Sequence, residues 1–318
     1  MKPKDNRIPA LIRFASAITV LNLFGHFYLG FEQSIAHWVV ALTTAYSLEI
    51  IFELINAKLN NTKPAFLVGG KEAFYFFLPS HITASAVSML LFTNERIVPI
   101  IFATAIGVLS KVIFRVKMNG KLRHFLNPSN TGIGVMLLLF PWVGVAPPYQ
   151  FSEVTSGWQD WMLVGIFLTL GSFLNTVFTK KIPLILAWLG GFFLQAVIRT
   201  NLMDTSTIAA ILPMTGIGFL LFTFYMISDP ATTPIKTKNQ IFFGLSVAAV
   251  YGIMMSLHIV FALFIALMIV CTVRGIYYWM TELFTEEKAV LVPKNNEVYI
   301  SKPESSYASM MNSTVGQM

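Results

Sequence analysis

Ten long apolar runs follow one another along the chain, and they constrain its fold more than any other feature. A helix needs about 20 apolar residues to cross the hydrocarbon core of a bilayer. Hydrophobic residues make up 55% of the 318 residues and charged residues only 12%, whereas a soluble chain has about 25% charged residues. The sequence therefore predicts an all-α polytopic membrane protein of about ten transmembrane helices. These are expected at residues 11–29, 34–54, 74–92, 97–114, 130–147, 160–178, 182–198, 208–227, 240–256 and 258–279.

The basic residues lie on one side of this predicted bundle. When the amino terminus is placed in the cytoplasm, all but two of the 22 Lys and Arg residues fall on the cytoplasmic side, the exceptions being Arg96 and Arg199. Such a bias is typical of cytoplasmic loops. It predicts an inner (plasma) membrane protein with both termini in the cytoplasm, and it explains the net charge of +7 without nucleic-acid binding. We expect one transmembrane domain at residues 1–280, surrounded by membrane lipid, and a polar, flexible cytoplasmic tail at residues 281–318.

Two short polar stretches interrupt the apolar runs on the predicted cytoplasmic side. The first contains Asn127-Pro128 and the second contains Asp229-Pro230. Proline lacks a backbone donor and moves the preceding residue out of the α region, so both motifs predict broken helices. Irregular backbone at membrane depth is tolerated only where protein covers it or where it lines a polar cavity.

Residue types alone leave two interpretations of these breaks open. Free N–H groups at a helix start attract anionic or carbonyl-rich groups, such as a phosphate, a flavin ring or a quinone head. In the other interpretation, the motifs are ordinary helix starts in which Asn, Asp, Ser and Thr cap the first turn. No catalytic residue is predicted. The candidate cofactor-binding residues are Lys111, Asn127, Pro128, Asn130, Asp229, Pro230, Thr232 and Thr233.

The remaining ionisable residues give weaker indications. Glu49 and Glu53 lie four residues apart, hence on one helical face. At this depth they could conduct protons or cations, although extension to the membrane interface beside Lys58 is the favoured interpretation. The five histidines show no paired pattern of the kind that binds haem, and the single cysteine completes no zinc or iron–sulfur ligand set. No metal site is therefore predicted.

Three blocks of sequence resemble one family of membrane electron-transfer subunits. Residues 106–111 (IGVLSK) and 125–132 (FLNPSNTG) resemble its "IGK…FNPA" segment, and residues 136–142 (MLLLFPW) resemble its "LLISFP" helix end. Residues 224–244, which contain the second break, are similar to its "MATDPVTSP…IFG" block. Order and spacing match from about residue 80 to residue 257. The chain thus resembles the NqrB/RnfD family, the membrane subunits of the sodium-pumping NADH:quinone reductase and of the Rnf complex.

This resemblance implies a fold like that of urea and ammonium channels, flavin electron transfer and a quinone site in the cytoplasmic half. It also implies other redox subunits of an Rnf- or Nqr-like complex as partners. The family carries covalent FMN on a threonine of an outer loop, and the corresponding position here is Trp158, which has no hydroxyl group. Covalent FMN is therefore not expected. A non-covalent flavin, riboflavin or FMN, is expected near the two breaks.

Residues 141–149 (PWVGVAPPY) add a likeness to stand-alone RnfD-like proteins of enediyne-type biosynthetic clusters. We therefore expect an integral membrane electron-transfer subunit, an oxidoreductase component that binds a non-covalent flavin and couples redox chemistry to ion movement. The alternative is a transporter or channel-like protein that moves a small solute, or exports a biosynthetic product, without redox chemistry. A third hypothesis is a scaffold for other redox subunits.

Overall fold

Helices account for most of the computed structural model, which describes residues 7–118, 120–203 and 205–291. Three of the helices continue directly into π-helical segments, at Gly25–Leu29, Leu174–Thr179 and Phe222–Met226. The helical class expected from the sequence is confirmed. The α-helices of the described part are α1 (Arg7–Phe24), α2 (Ile35–Asn60), α3 (Gly70–Leu90), α4 (Val98–Ile113), α5 (Pro128–Leu139), α6 (Trp158–Phe173), α7 (Ile182–Met203), α8 (Thr207–Ile211), α9 (Ile217–Leu221), α10 (Thr237–Ser256) and α11 (Ala262–Leu291).

Seven helical segments of the described chain are long and apolar enough to cross a membrane, or eight if one bent pair forms a single span. The bent pair joins Thr207–Thr215 to Ile217–Met226 at an angle of 66°. Helices α4 and α5 are apolar but have only 16 and 12 residues. Every predicted run overlaps a helix, so a multi-pass helical protein is supported, while the count of ten stays a prediction. The seven segments are Ile8–Leu29, Ile35–Asn60, Gly70–Leu90, Trp158–Thr179, Ile182–Met203, Thr237–Ser256 and Ala262–Phe284.

Two small antiparallel sheets, which the sequence analysis did not predict, join loops to the bundle. The basic loop after α4 forms a hairpin in which Val116 and Met118 are buried while Lys117 points outward. Lys117 lies 3.4 Å from Glu282 of α11, so the hairpin rests on the last helix. The strands are β1 (Leu91–Phe92), paired with β4 (Gly144–Val145), and β2 (Arg115–Met118), paired with β3 (Lys121–His124).

The last two helices are separated by a short turn, as expected. Helix α10 ends at Ser256 and α11 begins at Ala262. His258 (φ 57°) and Phe261 (φ 63°) adopt the left-handed conformation that reverses the chain between them. Helix α11 then continues to Leu291, so the first residues of the predicted tail belong to this helix. The rest of that tail, residues 292–318, lies outside the described residues.

The two halves of the chain repeat a set of contacts. Two π segments end at residues in the left-handed conformation, Gly30 (φ 70°) and Lys180 (φ 53°). At the same spacing after each of these residues, a tryptophan donates a hydrogen bond to a hydroxyl of a later helix. The two bonds run from Trp38 Nε1 to Ser85 Oγ and from Trp188 Nε1 to Thr223 Oγ1, both at 3.0 Å. The repeated contacts pair the first three predicted runs with the sixth, seventh and eighth. In this pairing the first break follows the fourth run and the second break follows the eighth, so the two breaks lie at non-equivalent points.

Close backbone contact between α4 and α5 positions the first break. A Cβ atom added at Gly132 would lie 2.3 Å from the carbonyl oxygen of Ala103, and one at Gly107 would lie 2.9 Å from that of Pro128. Neither position tolerates a larger side chain without movement of the backbone, because both obstacles are backbone atoms. The start of α5 is therefore held directly against α4.

Candidate functional site

Asn127 forms an N-cap at the first break. Its Oδ1 atom accepts the backbone N–H of Asn130 at 3.0 Å and the hydroxyl of Ser129 at 2.9 Å. Thr131 Oγ1 donates to the carbonyl oxygen of Asn127 at 2.7 Å. Pro128, at the first helical position, needs no hydrogen-bond partner for its nitrogen. The capping interpretation therefore describes the local structure of this break, and it leaves most of the polar groups engaged within the protein.

The second break is a turn and not a helix start. The Asp229 carboxylate accepts the backbone N–H of Ala231 and the hydroxyl of Thr232, both at 3.0 Å. Thr233 donates its hydroxyl to the carbonyl oxygen of Asp229. Helix α10 begins only at Thr237. The capping interpretation, one of the two left open by the sequence, does not hold for Thr232 and Thr233, because their hydroxyls bond to Asp229 and stabilise the turn around Pro230.

The two breaks meet inside the bundle. Asn127 Nδ2 donates to the carbonyl oxygen of Met226 at 3.2 Å, and Met226 ends the π segment that leads into the second break. Asn130 Nδ2 donates to the carbonyl oxygen of Phe264 in α11 at 2.9 Å. Both amide side chains are buried. Residues far apart in the sequence thus form one buried polar site, which joins both broken segments to the last helix.

A lysine that sequence reasoning did not select lies beside this site. Lys181, only 2% exposed, donates to the carbonyl oxygen of Pro234 at 2.6 Å. Burial lowers the pKa of Lys181 from 10.5 to about 8; the carboxylate of Asp229 opposes this shift, and the charges of Arg274 and Arg123 add to it. The charges that act on Lys181 are thus one carboxylate, that of Asp229, and two guanidinium groups. The signal for Lys181 in the sequence is a lysine pair placed between two apolar runs.

Arg274 of α11 is the second cation that the sequence analysis did not select. It donates to the carbonyl oxygen of Thr232 and contacts the sulfur of Met118 in β2 at 3.7 Å. Arg274 thereby links the turn of the second break to α11 and to the basic hairpin. Its guanidinium group also lies 5.2 Å from the ring centre of Tyr278, which fixes its orientation.

Lys111 belongs to a different polar cluster. Its Nζ atom lies 2.7 Å from Glu49 Oε2 and 3.2 Å from Ser80 Oγ. The interpretation that Glu49 extends to the interface beside Lys58 is therefore wrong, since its carboxylate pairs with a buried lysine from α4. The backbone carbonyl of Lys111 accepts a hydrogen bond from the side-chain Nε of Arg115. A role for Lys111 at a bound cofactor stays a prediction.

The donors and acceptors around the breaks suit a flavin ring in their chemistry. Asn130 Oδ1 is buried and has no hydrogen-bond partner among the described residues, so an acceptor is available for an imide N–H. Lys181 and Arg274 supply positive charge of the kind that stabilises a reduced, anionic ring. Most of the other donors already bond to protein carbonyls. Two features of the site thus match a flavin: its positive charge and the unpartnered acceptor Asn130 Oδ1.

The segment that the sequence analysis compares with a flavin-carrying loop leads into α6. Trp158 is the first residue of α6 and is 71% exposed. Thr155, the nearby threonine, donates its hydroxyl to Asp160. Gly157 adopts a positive φ of 64° that favours glycine.

The fold and these contacts define a multi-pass helical membrane protein with a buried polar site between broken helices. No protein-family model matches the chain, and no curated protein matches it.

Proposed function

We propose that this protein is an integral membrane electron-transfer subunit of the NqrB/RnfD type, which binds a non-covalent flavin and couples its redox chemistry to ion movement. One observation carries the proposal: Asn127 bonds to the carbonyl of Met226 and so joins two proline breaks, distant in sequence, into one buried site. A site of this kind is where irregular backbone is tolerated in a membrane protein.

The residues proposed to hold the flavin come from both breaks and from the cations beside them. Asn130 Oδ1 would accept a hydrogen bond from the imide N–H of the flavin ring. Lys181 and Arg274 would balance the negative charge that reduction adds to the ring. The turn around Asp229 supplies the backbone carbonyls to which Lys181 and Arg274 bond. A bound flavin supplies one- and two-electron transfer at this point. A quinone is the proposed exchange partner, and further redox subunits are the proposed protein partners.

The proposal includes ten membrane passages in the plasma membrane with both termini in the cytoplasm. The one-sided distribution of Lys and Arg supports this orientation. The short helices α4 and α5 would supply two of the passages, and the bent pair α8–α9 would supply a third. Both breaks would then lie in the cytoplasmic half.

The absorbance spectrum of the full-length protein purified in mild detergent tests the flavin. We expect a flavin spectrum, and acid precipitation is expected to release the flavin into the supernatant as riboflavin or FMN. Flavin retained in the pellet would contradict the non-covalent assignment. A colourless preparation that stays colourless after incubation with riboflavin and with FMN would exclude the flavin role.

A second candidate function is transport of a small solute, or export of a biosynthetic product, without redox chemistry. It is favoured by the buried ion pair between Glu49 and Lys111, which lies apart from the proposed flavin site. Intramembrane charges often mark ion or substrate pathways. Solute flux into vesicles that contain colourless protein would favour this function over electron transfer.

A further inference from the structure

Helix α3 has a polar side that is buried in the bundle. It is the most buried of the candidate spans: 61% of the residues in an 18-residue apolar stretch of this helix are buried. Small polar residues in a membrane helix often serve helix packing alone. Here, however, three of them (Ser80, His81 and Ser85) bond to side chains of three other helices, α1, α2 and α4. The polar residues in the second half of α3 are Ser80, His81, Thr83, Ser85 and Ser88. The hydroxyls of Thr83 and Ser88 bond to carbonyl oxygens of α3 itself.

An ion pair forms the cytoplasmic end of this polar side. Glu49 Oε2 accepts the ammonium of Lys111 at 2.7 Å and the hydroxyl of Ser80 at 2.6 Å. The side chains of Lys111 and Glu49 are only 10% and 20% exposed. Because removal of two charges from water offsets their attraction, such a pair is a weak source of stability. Its position indicates a functional role instead.

The next residue of α3 after Ser80 carries an imidazole. His81 succeeds Ser80 in α3, and its partner Tyr46 lies one turn before Glu49 in α2. The two ring nitrogens of His81 bond to hydroxyl groups, Nδ1 to Tyr46 at 2.7 Å and Nε2 to Thr19 of α1 at 2.6 Å. A hydroxyl can donate and accept at the same time. These bonds are therefore able to change direction when a proton moves.

Ser85 continues the series towards the other face. Its hydroxyl accepts Trp38 Nε1 at 3.0 Å, and its carbonyl accepts the amide of Asn22 at 3.5 Å. Trp38 also stacks on His26, with ring centres 6.2 Å apart. Beyond them lies an open pocket of about 950 Å³, with His37, Glu32 and Arg96 among its lining residues.

Unpartnered buried atoms accompany this series. His37 is 3% exposed, and its Nε2 atom has no hydrogen-bond partner in the described part of the chain. Among the described residues, Asn22 Oδ1, Gln33 Oε1 and Thr104 Oγ1 are also buried without a hydrogen-bond partner, and they belong to the same half of the protein. Buried polar atoms are normally paired, and ordered water is the usual partner where protein supplies none. These atoms therefore indicate positions for water molecules in this half of the protein.

We propose that a proton path follows α3, from the Glu49–Lys111 pair on the cytoplasmic side to the pocket at His37. A hydronium ion on the cytoplasmic side breaks one of its O–H bonds and leaves as water, and its proton forms an O–H bond on the Glu49 carboxylate, which ends the ion pair with Lys111.

The Glu49 O–H bond then breaks as its proton passes through a proposed water molecule to the Tyr46 hydroxyl, which gives up its own proton to form an N–H bond at His81 Nδ1. The N–H bond at His81 Nε2 breaks in turn, and that proton passes to the Thr19 hydroxyl and the next water. Each step moves one proton and requires no oxidant. The inference rests on the ion-movement part of the proposed function and does not require a flavin.

Proton uptake into vesicles tests the path. Full-length protein is reconstituted into liposomes that contain a pH-sensitive dye, and a potassium diffusion potential drives protons inward. We expect faster acidification than in protein-free liposomes, and a fall to the protein-free rate for Glu49→Gln and for Tyr46→Phe. Glu53→Gln is the matched control, because Glu53 lies one turn away and accepts the backbone N–H of Ala65 instead. It should acidify like the wild type.

Three outcomes would overturn the path. They are a wild-type rate equal to that of protein-free liposomes, an unchanged rate in Glu49→Gln and an equal loss in Glu53→Gln. Size-exclusion profiles and thermal midpoints of each variant separate loss of conduction from loss of folding. Tyr46→Phe retains the aromatic ring that packs against Phe77, so its fold is expected to persist. Proton uptake by protein that binds neither added riboflavin nor added FMN would support the path while excluding the electron-transfer role.

Discussion

The ammonium of Lys181 lies 2.6 Å from the carbonyl oxygen of Pro234, in a position where only 2% of the residue is exposed. The lysine at the carboxyl end of the sixth helical run thus holds the turn that follows the second proline break. Since a backbone carbonyl neutralises no charge, the protonated amine is disfavoured there. Its lowered pKa leads to a prediction about stability.

Stability should increase with pH in the alkaline range. The pKa of Lys181 is about 8 in the folded protein against an ordinary value of 10.5. Between these values the unfolded chain binds more protons than the folded one, so the free energy of unfolding rises with pH from about 8 to about 10.5. Thermal midpoints in detergent measure this rise. Lys181→Met should flatten it, while Lys238→Met, at an exposed position, should retain the wild-type profile.

Replacement of Asn127 by alanine should loosen both breaks together. The variant loses a helix cap and the side-chain hydrogen bond to the carbonyl of Met226, which keeps only the longer bond of 3.4 Å from the backbone N–H of Asp229. The two losses together are worth about 2 kcal/mol. We expect a lower thermal midpoint and less flavin per protein. Asn201→Ala is the control, since the side chain of Asn201 is exposed and bonds only within its own helix. An equal effect of the two variants would contradict the joint role of Asn127.

Gly132→Ala should destabilise the protein because its new methyl group would meet the backbone of α4. The expected cost is about 1–3 kcal/mol, as for other overpacked positions. In Gly190→Ala the methyl group has no heavy atom within 4 Å, so this helical control should be neutral or slightly stabilising. Chemical denaturation of the two variants measures the difference. A neutral Gly132→Ala would mean that α4 and α5 separate easily.

A double-mutant cycle should show that the Glu49–Lys111 pair contributes little to stability. Lys111→Met alone leaves a buried carboxylate without its cation, at a cost of roughly 3 kcal/mol. Addition of Glu49→Gln should recover most of that loss. Lys117→Met, which removes a half-exposed cation from the pair with Glu282, should change stability by less than about 1 kcal/mol. A double variant as unstable as the single one would assign the pair a structural role.

The sequence allowed correct prediction of features that depend on local chemistry. Runs of apolar residues identify the helices because each run must satisfy its backbone within the membrane. The cap at Asn127 follows from a residue type and the proline after it. The basic loop after α4 was missed as a hairpin, although alternating Val116 and Met118 indicate a strand with one buried face. A loop rich in lysine and arginine hides that alternation.

The parts that were missed depend on partners distant in the chain. Lys181 and Arg274 contact the turn at residues 227–236, and no spacing rule connects positions so far apart. Glu49 was assigned to the interface because Lys58 is its neighbour in sequence, whereas Lys111 reaches it through the packing of α4 on α2. The second break looked like a helix start because its residues are good caps, and those caps are used by the turn itself.

The lengths of α4 and α5 have a consequence for the surrounding lipid. At about 1.5 Å per residue these helices measure about 24 Å and about 18 Å, against a hydrocarbon thickness of about 30 Å. Val98 and Ile113, at the two ends of α4, are 73% and 63% exposed. In the proposed ten-pass arrangement, a bilayer of ordinary thickness would place the polar residues that flank α4 within hydrocarbon, so the bilayer beside α4 should thin to match the helix. Phospholipids with short acyl chains should therefore collect beside α4, and membrane thickness becomes a property that sets where the protein resides.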